Sequence, residues 1–346
     1  MNSCKIAVIG ATGAVGRVFL DIAEQREFPI SELRLCASER SVGKLLEFDG
    51  QHVEVELCTP ELLSDVDIAF ISASGDVSKI IAPMAVANKA VAIDDSSAFR
   101  MSEKVPLVVP EVNAKDLYEH SGIISIPNCS TTPLVMVLKP LLAHASVNRV
   151  IVDTYQSVTG TGSAALEEMT TQSRNILDNQ PFESNVYPHQ VAFNLLPHIE
   201  PFQENGYTQE EMKMVYETRK ILHRPSLMVS ATCVRVPVAI SHSEALHIQF
   251  DREVQPDEVR DILAQQTGIQ VVDDPQNDVY PMPTLATGKD EVLVGRIRKD
   301  ISHSNGIVMW IVSDNLRKGA ALNAIQIAEE LINSDLVLSS NWSERT

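Results

Sequence analysis

The sequence lacks any uninterrupted apolar run of the length that a membrane-spanning helix needs, which is about 20 residues. Its first residues also lack the hydrophobic segment and small-residue cleavage site of a secretory signal peptide. These absences argue against a membrane protein and against secretion. We therefore expect a cytoplasmic protein with no membrane partner.

Paired cysteines and positive charge are scarce as well. The five cysteines are scattered, with neither a disulfide framework nor metal-ligand spacing, so we expect no metal site. Lysine and arginine number 28 against 46 acidic residues, which gives a net charge of −18. Nucleic-acid binding needs a basic surface, and the sequence shows no platform of aromatic and basic residues, so we expect no nucleic-acid partner. An anionic substrate must instead be held by a few local basic side chains.

Strands and helices alternate in the first part of the chain. Short apolar runs predict strands at 5–9, 33–37, 66–72, 90–94 and 123–126, with helices at 17–25 and 77–87. This alternation predicts a parallel, doubly wound α/β sheet. We assign residues 1–128 to this domain, completed by a C-terminal helix within 315–346.

The pattern changes after residue 128. A helix is predicted at 133–143, and longer β-rich runs follow at 149–158, 230–238, 244–250, 292–297 and 306–312. Such runs predict an α+β domain with a mixed sheet over 129–314, which we assign to catalysis and dimerisation. A homodimer formed through that sheet is expected. A final amphipathic helix is predicted at 316–331, after the capping residues Asp314 and Asn315.

A glycine-rich loop joins the first strand to the first helix. Gly10, Gly13 and Gly16 form the spacing G-x-x-G-x-x-G, with Thr12, Ala14 and Val15 between them. A pyrophosphate can approach such a backbone closely, and the amides at the helix N-terminus attract its charge. The loop predicts a Rossmann-type dinucleotide site, the alternative being a tight turn without a ligand.

The end of the second strand indicates which dinucleotide binds. Ser38, Arg40 and Ser41 can hold a 2′-phosphate, which favours NADP over NAD. Glu39 could instead point at the ribose, as an acid does in NAD enzymes. The alternative for Arg40 and Lys44 is a solvated surface pair.

Cys129 is the candidate nucleophile. It lies between a predicted strand and a predicted helix, preceded by Asn128 and followed by hydroxyl residues. A helix N-terminus favours the thiolate, and the backbone amides there can stabilise an oxyanion. The alternative is a small buried apolar residue, which fits the other four cysteines.

Several motifs together resemble those of bacterial aspartate-semialdehyde dehydrogenases, over nearly the whole chain. Besides the glycine loop and the Ser38 segment, they are Ser96–Arg100, Pro127–Thr131, Tyr155–Gln156 and Ala231–Val238 with His242. The resemblance implies NADPH-dependent reduction of 4-aspartyl phosphate to aspartate 4-semialdehyde through a cysteine thioester. This reaction serves lysine, diaminopimelate, threonine and methionine biosynthesis.

The same resemblance assigns roles to residues of this chain. It implies that Cys129 is the nucleophile, His242 the acid/base and Gln156 a residue that orients the substrate. The implied substrate-binding residues are Arg235 for the carboxylate, Glu210 for the amino group, and Arg100, Lys213 and Asn128 for the phosphate. Thr159, Gly160 and Asn315 are implied to contact the cofactor.

Elementary geometry puts conditions on these roles. Arg235 shares a strand face with Cys233, and a buried guanidinium there needs an anionic partner, either a substrate or an internal acid. Arg235 and His242 are seven residues apart, so a bend at Pro237 or a turn at Ser241 must aim one of them. Glu210 and Lys213 share one helix face, where a surface ion pair is the plain alternative. The alternative for Arg100 is neutralisation of Asp94 or Asp95.

Two other functions remain open. N-acetylglutamyl-phosphate reductase and glyceraldehyde-3-phosphate dehydrogenase use the same cysteine–histidine chemistry on other substrates. A paralogue that binds a nucleotide without turnover is the alternative outside enzymology, although both Cys129 and His242 are present.

Overall fold

The computed structural model describes residues 3–337. Its strands are β1 (Cys4–Ile9), β2 (Ile30–Ala37), β3 (Leu45–Phe48), β4 (Gln51–Leu57), β5 (Ile68–Ile71), β6 (Val91–Asp94), β7 (Ile123–Ser125), β8 (Val147–Gln156), β9 (Met228–Arg235), β10 (His242–Phe250), β11 (Ile269–Val271), β12 (Val292–Lys299) and β13 (Gly306–Ser313). Its α-helices are α1 (Ala14–Gln25), α2 (Pro60–Leu63), α3 (Gly75–Ala87), α4 (Pro110–Asn113), α5 (Thr131–His144), α6 (Ser163–Leu177), α7 (Gln209–Ile221), α8 (Pro256–Ala264), α9 (Pro283–Ala286) and α10 (Leu322–Asn333).

The described residues form two compact units. The first contains 3–128 together with 320–337, and the second is Cys129–Gly319. The chain thus returns to the first unit at Ala320, whereas the sequence suggested a return at residue 315.

The first unit is built on one sheet with the strand order β3-β4-β2-β1-β5-β6-β7. All neighbouring strands are parallel except the edge pair β3–β4. One apolar core packs α1 and α10 on one face of this sheet, and a second core packs α3 on the other. The predicted doubly wound α/β fold is therefore confirmed. The chain leaves β1 at the point where strand order reverses, which is where such sheets bind ligands.

The second unit is built on a sheet with the order β11-β12-β13-β10-β8-β9. The pairs β8–β9 and β11–β12 are parallel and the others antiparallel, so the predicted mixed sheet is confirmed. Along β8 the buried residues alternate with more exposed ones, and Val150, Val152, Thr154 and Gln156 lie on the buried face. Tyr155 lies on the opposite, more exposed face, beside Trp310.

The predicted C-terminal helix is confirmed, and it runs over 317–333 rather than 316–331. Its first turn, Arg317–Ala321, is π-helical, and the α-helix proper is α10. Asp314 accepts hydrogen bonds from the amides of Leu316 and Arg317, so it caps this turn. Asp335 adopts φ +53°, and the amide of Leu336 bonds back to the carbonyl of Leu331, which ends the helix. Residues 338–346 of the prediction lie outside the described residues.

The helix α6 was not predicted, because its sequence shows no clear apolar face.

Within residues 3–337, no helix combines the length and the apolar character needed to cross a bilayer.

Candidate active site

The second unit brings Cys129 and His242 into contact. Cys129 precedes α5, whose N-cap is Ser130, so the predicted place of the thiol at a helix N-terminus is confirmed. Its Sγ lies 3.2 Å from Nε2 of His242, at the first position of β10. His242 is buried, whereas Cys129 is partly exposed. A nucleophile and a base at hydrogen-bond distance are the minimal apparatus for covalent acyl transfer.

A strained turn aims His242 at the sulfur. Ser241, immediately before it, adopts φ +77°, and its amide donates to Oδ1 of Asn315 at 2.9 Å. The turn expected at Ser241 is thereby confirmed, and it brings His242 onto the same sheet face as Arg235. Strand register brings a third residue to this face. Gln156 of β8 pairs with Arg235 of β9. On the other side of β8, Tyr155 pairs with Ser243 of β10, which places Gln156 beside His242.

The imidazole of His242 is held in one tautomer. The backbone amide of Ser157 donates to Nδ1 at 3.0 Å, so in the neutral ring the proton is on Nε2 and faces Sγ of Cys129. Burial, together with the positive charge of Arg235, holds the pKa of His242 well below its usual range. The ring is therefore neutral at neutral pH.

Arg235 is a buried guanidinium that has no carboxylate partner within residues 3–337. Its Nη1 donates to the carbonyl of Ser157 at 2.6 Å, and its Cζ lies 5.9 Å from the ring centroid of Tyr187. Nε has no hydrogen-bond partner. The internal salt bridge considered from the sequence is therefore absent among these residues, and the cation can bind an external anion.

Gly160 packs closely against both Arg235 and His242. A Cβ atom at this position would lie 3.0 Å from Nη1 of Arg235 and 3.2 Å from Nε2 of His242. Any larger residue would therefore crowd both side chains, and glycine permits this close approach.

Gln156, Glu210 and Lys213 form one connected group. Nε2 of Gln156 donates to Oε1 of Glu210 at 2.9 Å, and Nζ of Lys213 lies 3.3 Å from Oε2 of Glu210. Lys213 also forms an ion pair with Glu200. Glu210 is only 3% exposed, so the plain surface ion pair considered from the sequence is wrong for this residue.

Thr159 and Asn315 lie behind the catalytic pair. Oγ1 of Thr159 donates to the carbonyl of Ala239 at 2.8 Å and accepts from Nδ2 of Asn315 at 3.2 Å. Both side chains are buried. Their contact with a cofactor stays a prediction.

The glycine loop of the first unit is dictated by its own packing. A Cβ on Gly10 would lie 2.0 Å from the carbonyl oxygen of Ser72, and one on Gly16 would lie 2.4 Å from that of Gly10. Gly10 also adopts φ +85°. Gly13 is the N-cap of α1 and supplies no side-chain cap, and Ala14 and Val15 begin the helix. The uncapped first turn leaves backbone amides available for a phosphate.

Hydroxyl and ammonium groups gather beside this loop. Oγ1 of Thr12 donates to Oγ of Ser41 at 3.2 Å, and Nζ of Lys44 donates to the same oxygen at 3.3 Å. Ser38 precedes the 3₁₀ turn Glu39–Ser41, and Arg40 is exposed. From the sequence, Lys44 was interpreted only as a surface residue paired with Arg40. It lies three residues after Ser41, and this spacing could have indicated that both residues lie in one turn.

Arg100 and Asn128 belong to the first unit. Arg100 is buried, and its Nη2 donates to the backbone carbonyl of Asp95 at 2.8 Å. Asn128 is buried at the end of the unit. Their phosphate-binding roles stay predictions.

Three residues of the second unit were missed as site residues. Ser157 contacts His242, and Glu244 is buried two residues after it, where neither carboxyl oxygen has a hydrogen-bond partner among the described residues. Strand alternation could have placed Glu244 on the face of His242. A Cβ on Gly319 would lie 2.9 Å from Cβ of Cys129, a contact that no local sequence pattern announces.

Comparisons with known proteins agree with this geometry. Residues 5–120 match the family model of the semialdehyde dehydrogenase NAD-binding domain, and residues 138–318 match that of its dimerisation domain. The aspartate-semialdehyde dehydrogenase of Aquifex aeolicus is 49% identical over 96% of this chain and 99% of its own length.

Solved structures are similar as well. The Vibrio cholerae aspartate-semialdehyde dehydrogenase II complexed with ASA has a TM-score of 0.93 and 45% identity, and the match covers 96% of this chain and 99% of that one. A Candida albicans aspartate-semialdehyde dehydrogenase with NADP has a TM-score of 0.75 and 26% identity, with coverage of 97% and 100%.

Proposed function

Because the chain belongs to the aspartate-semialdehyde dehydrogenase family, we propose that it reduces 4-aspartyl phosphate to aspartate 4-semialdehyde and phosphate with NADPH. The observation that carries the proposal is the contact of Cys129 with His242 beside a buried Arg235 that has no carboxylate partner within residues 3–337. The reaction supplies the lysine, diaminopimelate, threonine and methionine pathways.

Cys129 is the proposed nucleophile. Its thiolate attacks the acyl carbon, and the bond from that carbon to the phosphate oxygen breaks. Phosphate departs, and the acyl group remains bound to Sγ as a thioester. The positive end of α5 stabilises the thiolate, and the backbone amides of its first turn can stabilise the oxyanion. Covalent capture divides one difficult transfer into two easier ones.

His242 is the proposed acid/base. As the thioester is reduced, Nε2 of the protonated ring donates a proton to the carbonyl oxygen, which leaves the ring neutral with its remaining proton on Nδ1. His242 takes this proton back as the C–S bond breaks, which releases the aldehyde and restores the thiolate. The 3.2 Å contact with Sγ supports this role, since the reacting carbon must bond to that sulfur.

Arg235, Gln156 and Glu210 are the proposed substrate-binding residues. The planar guanidinium suits bidentate capture of the substrate carboxylate, and the buried carboxylate of Glu210 suits its amino group. Gln156 donates to Glu210 and lies beside His242, so it can orient the acyl group between them. Arg100, Lys213 and Asn128 are proposed for the phosphate.

NADP is the cofactor, and it supplies the hydride when bound as NADPH. The first unit fits this molecule on three counts: the glycine loop at the strand-order reversal, the uncapped N-terminus of α1, and the cluster of Thr12, Ser41 and Lys44. Gly10, Thr12, Gly13, Ala14, Val15 and Gly16 are proposed for the pyrophosphate and Ser38, Arg40 and Ser41 for the 2′-phosphate, with Thr159, Gly160 and Asn315 as further contacts.

A homodimer in the cytoplasm is also proposed. The match to a dimerisation domain supports the dimer, as does the open sheet face with Tyr155 and Trp310. None of the five cysteines, all of which lie within residues 3–337, forms a disulfide, which supports a reducing compartment.

The test is phosphate-dependent reduction of NADP by aspartate semialdehyde. We expect Cys129→Ala to lower kcat by at least about a thousandfold, because no other group can form the thioester. Cys58→Ala, which removes a partly exposed thiol from the first unit, is the control and should match the wild type. Retained activity in Cys129→Ala, or faster turnover of N-acetylglutamate semialdehyde by the wild type, would contradict the proposal.

A further inference from the structure

One serine presents two different groups to the same nitrogen of His242. The backbone amide of Ser157 lies 3.0 Å from Nδ1, and its hydroxyl Oγ lies 3.1 Å from the same atom. The amide can only donate, so it suits a ring whose Nδ1 is unprotonated. The hydroxyl oxygen can accept, so it suits a ring that carries a proton there.

Asn315 decides which way the hydroxyl of Ser157 points. Oδ1 of Asn315 accepts from Oγ of Ser157 at 3.1 Å and from the amide of Ser241 at 2.9 Å. The proton of the hydroxyl is thereby directed away from the imidazole, and the lone pairs of Oγ remain for Nδ1. The same oxygen therefore orients Ser157 and holds the strained residue that precedes His242.

The proposed reaction needs both forms of the ring. When His242 donates from Nε2 during turnover it must first be an imidazolium, and Nδ1 then carries a proton that the amide of Ser157 cannot accept. An N–H left without an acceptor in a buried site would oppose protonation. Besides the backbone of Ser241, the hydroxyl oxygen of Ser157 is an acceptor within reach, at 3.1 Å from Nδ1.

We propose that the Ser157 hydroxyl, oriented by Asn315, is a positioning group that accepts a hydrogen bond from Nδ1 of protonated His242. The backbone amide of Ser157 holds the neutral resting ring in the Nε2–H form, and the hydroxyl accepts from Nδ1 once the ring is protonated and after Nε2 has donated its proton. This inference rests on the proposed acid/base role of His242.

Other charged or titratable groups near the ring set the background for this effect. Cys129, before α5, faces Nε2 of His242. Arg235 of β9 lies next to Gly160, as the ring does, and its positive charge opposes protonation of the imidazole. Glu244 follows on β10 itself, and burial raises the pKa of its carboxyl group well above the usual range. A backbone hydrogen bond of Ser241 raises the pKa of the ring, and the hydroxyl of Ser157 is a further group that can stabilise the imidazolium.

The pH dependence of Cys129 alkylation tests the proposal without cofactor or substrate. Iodoacetamide is the probe, and the peptide that contains Cys129 is quantified by mass spectrometry. Ser157→Ala removes the acceptor but keeps the amide, so the thiolate–imidazolium pair should form at a pH about one unit higher, with about tenfold slower alkylation on the slope. Asn315→Asp keeps an acceptor oxygen and adds a negative charge near the ring, so its inflection should move to lower pH.

Ser230→Ala is the matched control. It removes a hydroxyl that bonds Tyr207 in the same unit, away from His242, and should leave the alkylation profile of Cys129 unchanged. A Ser157→Ala profile that superposes on the wild type, or that is slower at every pH without a shift, would overturn the proposal. Shifts of both variants in the same direction would contradict the role of Asn315, and Asn315→Asp remains informative if Ser157→Ala does not fold.

His242→Ala separates this proposal from the proposed function. If that variant leaves the alkylation profile of Cys129 unchanged, the cysteine–histidine pair itself is wrong, and with it the proposed chemistry. If His242→Ala moves the profile and Ser157→Ala does not, only the role of the hydroxyl is wrong.

Discussion

At the scale of single residues, the site contains charged or ionisable groups that are buried without an oppositely charged partner in the second unit. Arg235 is 4% exposed and its Nε has no partner. A protein retains such a cation at a cost of several kcal/mol unless something binds it. A Cβ atom at Gly160 would crowd both this guanidinium and the ring of His242, so the two side chains lie close to one another at this glycine.

Glu244 shows the same lack of compensation in a carboxyl group, and it yields a stability prediction. Burial raises its pKa well above the ordinary 4.5, so the folded protein keeps the proton while the unfolded chain loses it above that pH. Stability is therefore lost as the pH rises above 4.5, at about 1.4 kcal/mol per pH unit until the folded group ionises. We expect Glu244→Gln to be more stable than the wild type at pH 8 by at least about 1 kcal/mol, and nearly equal to it at pH 4.

Urea unfolding of both proteins at the two pH values measures this difference. Glu253→Gln is the control, because Glu253 is exposed and Lys299 lowers its pKa, so that variant should show no gain at pH 8. An equal effect of Glu244→Gln at both pH values would mean that its carboxyl group is not protonated in the folded state.

At the scale of elements, strand register assembles residues that are distant in the chain. The pairing of β8 with β9 and β10 aligns Gln156 with Arg235 and brings His242 beside them. The turn at Ser241 is necessary, since seven residues of straight strand would put Arg235 and His242 on opposite faces. Local strain before β10 therefore serves the geometry of the site.

The segment after β2 yields a prediction about cofactor choice. Lys44 reaches Ser41, and Arg40 lies in the same 3₁₀ turn, so both can neutralise a 2′-phosphate. We expect Lys44→Ala and Arg40→Ala each to raise KM for NADPH by about tenfold, the cost of a charged hydrogen bond, and to change KM for NADH little.

Steady-state kinetics with both dinucleotides check this expectation. Lys79→Ala, which removes a surface lysine paired with Asp76 on α3, is the control for loss of positive charge. Equal effects on NADPH and NADH would show that neither Lys44 nor Arg40 reads the 2′-phosphate.

At the scale of the whole molecule, the second sheet has one face that its own unit leaves open. Trp310 lies on this face beside Tyr155 and also lines a cavity of about 360 Å³ with Tyr280, Met282 and Met309. We expect a mass of twice 38.0 kDa by light scattering at micromolar concentration, and a shift of Trp310→Glu toward the monomer, because a charge buried between two sheets is costly.

Ile301→Glu is the control, because Ile301 is fully exposed between β12 and β13 rather than on the sheet face. A monomeric mass for the wild type would refute the dimer. A dimer that Trp310→Glu leaves intact would mean that the interface lies elsewhere.

Local patterns in the sequence were enough to predict the two kinds of sheet, the glycine loop and the position of Cys129. Alternation of apolar runs predicted the two kinds of sheet, glycine spacing predicted the loop after β1, and the strand–helix junction predicted the setting of Cys129. These follow from periodicity and backbone chemistry within a few residues of one another.

Contacts between side chains that are far apart in the sequence depend on the tertiary structure. The contact of Cys129 with His242, the tautomer imposed by Ser157, the place of Asn315 behind them and the burial of Glu210 all join residues from different elements. Their relation depends on strand register and on the turn at Ser241, which long-range packing determines. Hydrogen-bond geometry exists only after these elements have packed, and for that reason no sequence spacing encodes it directly.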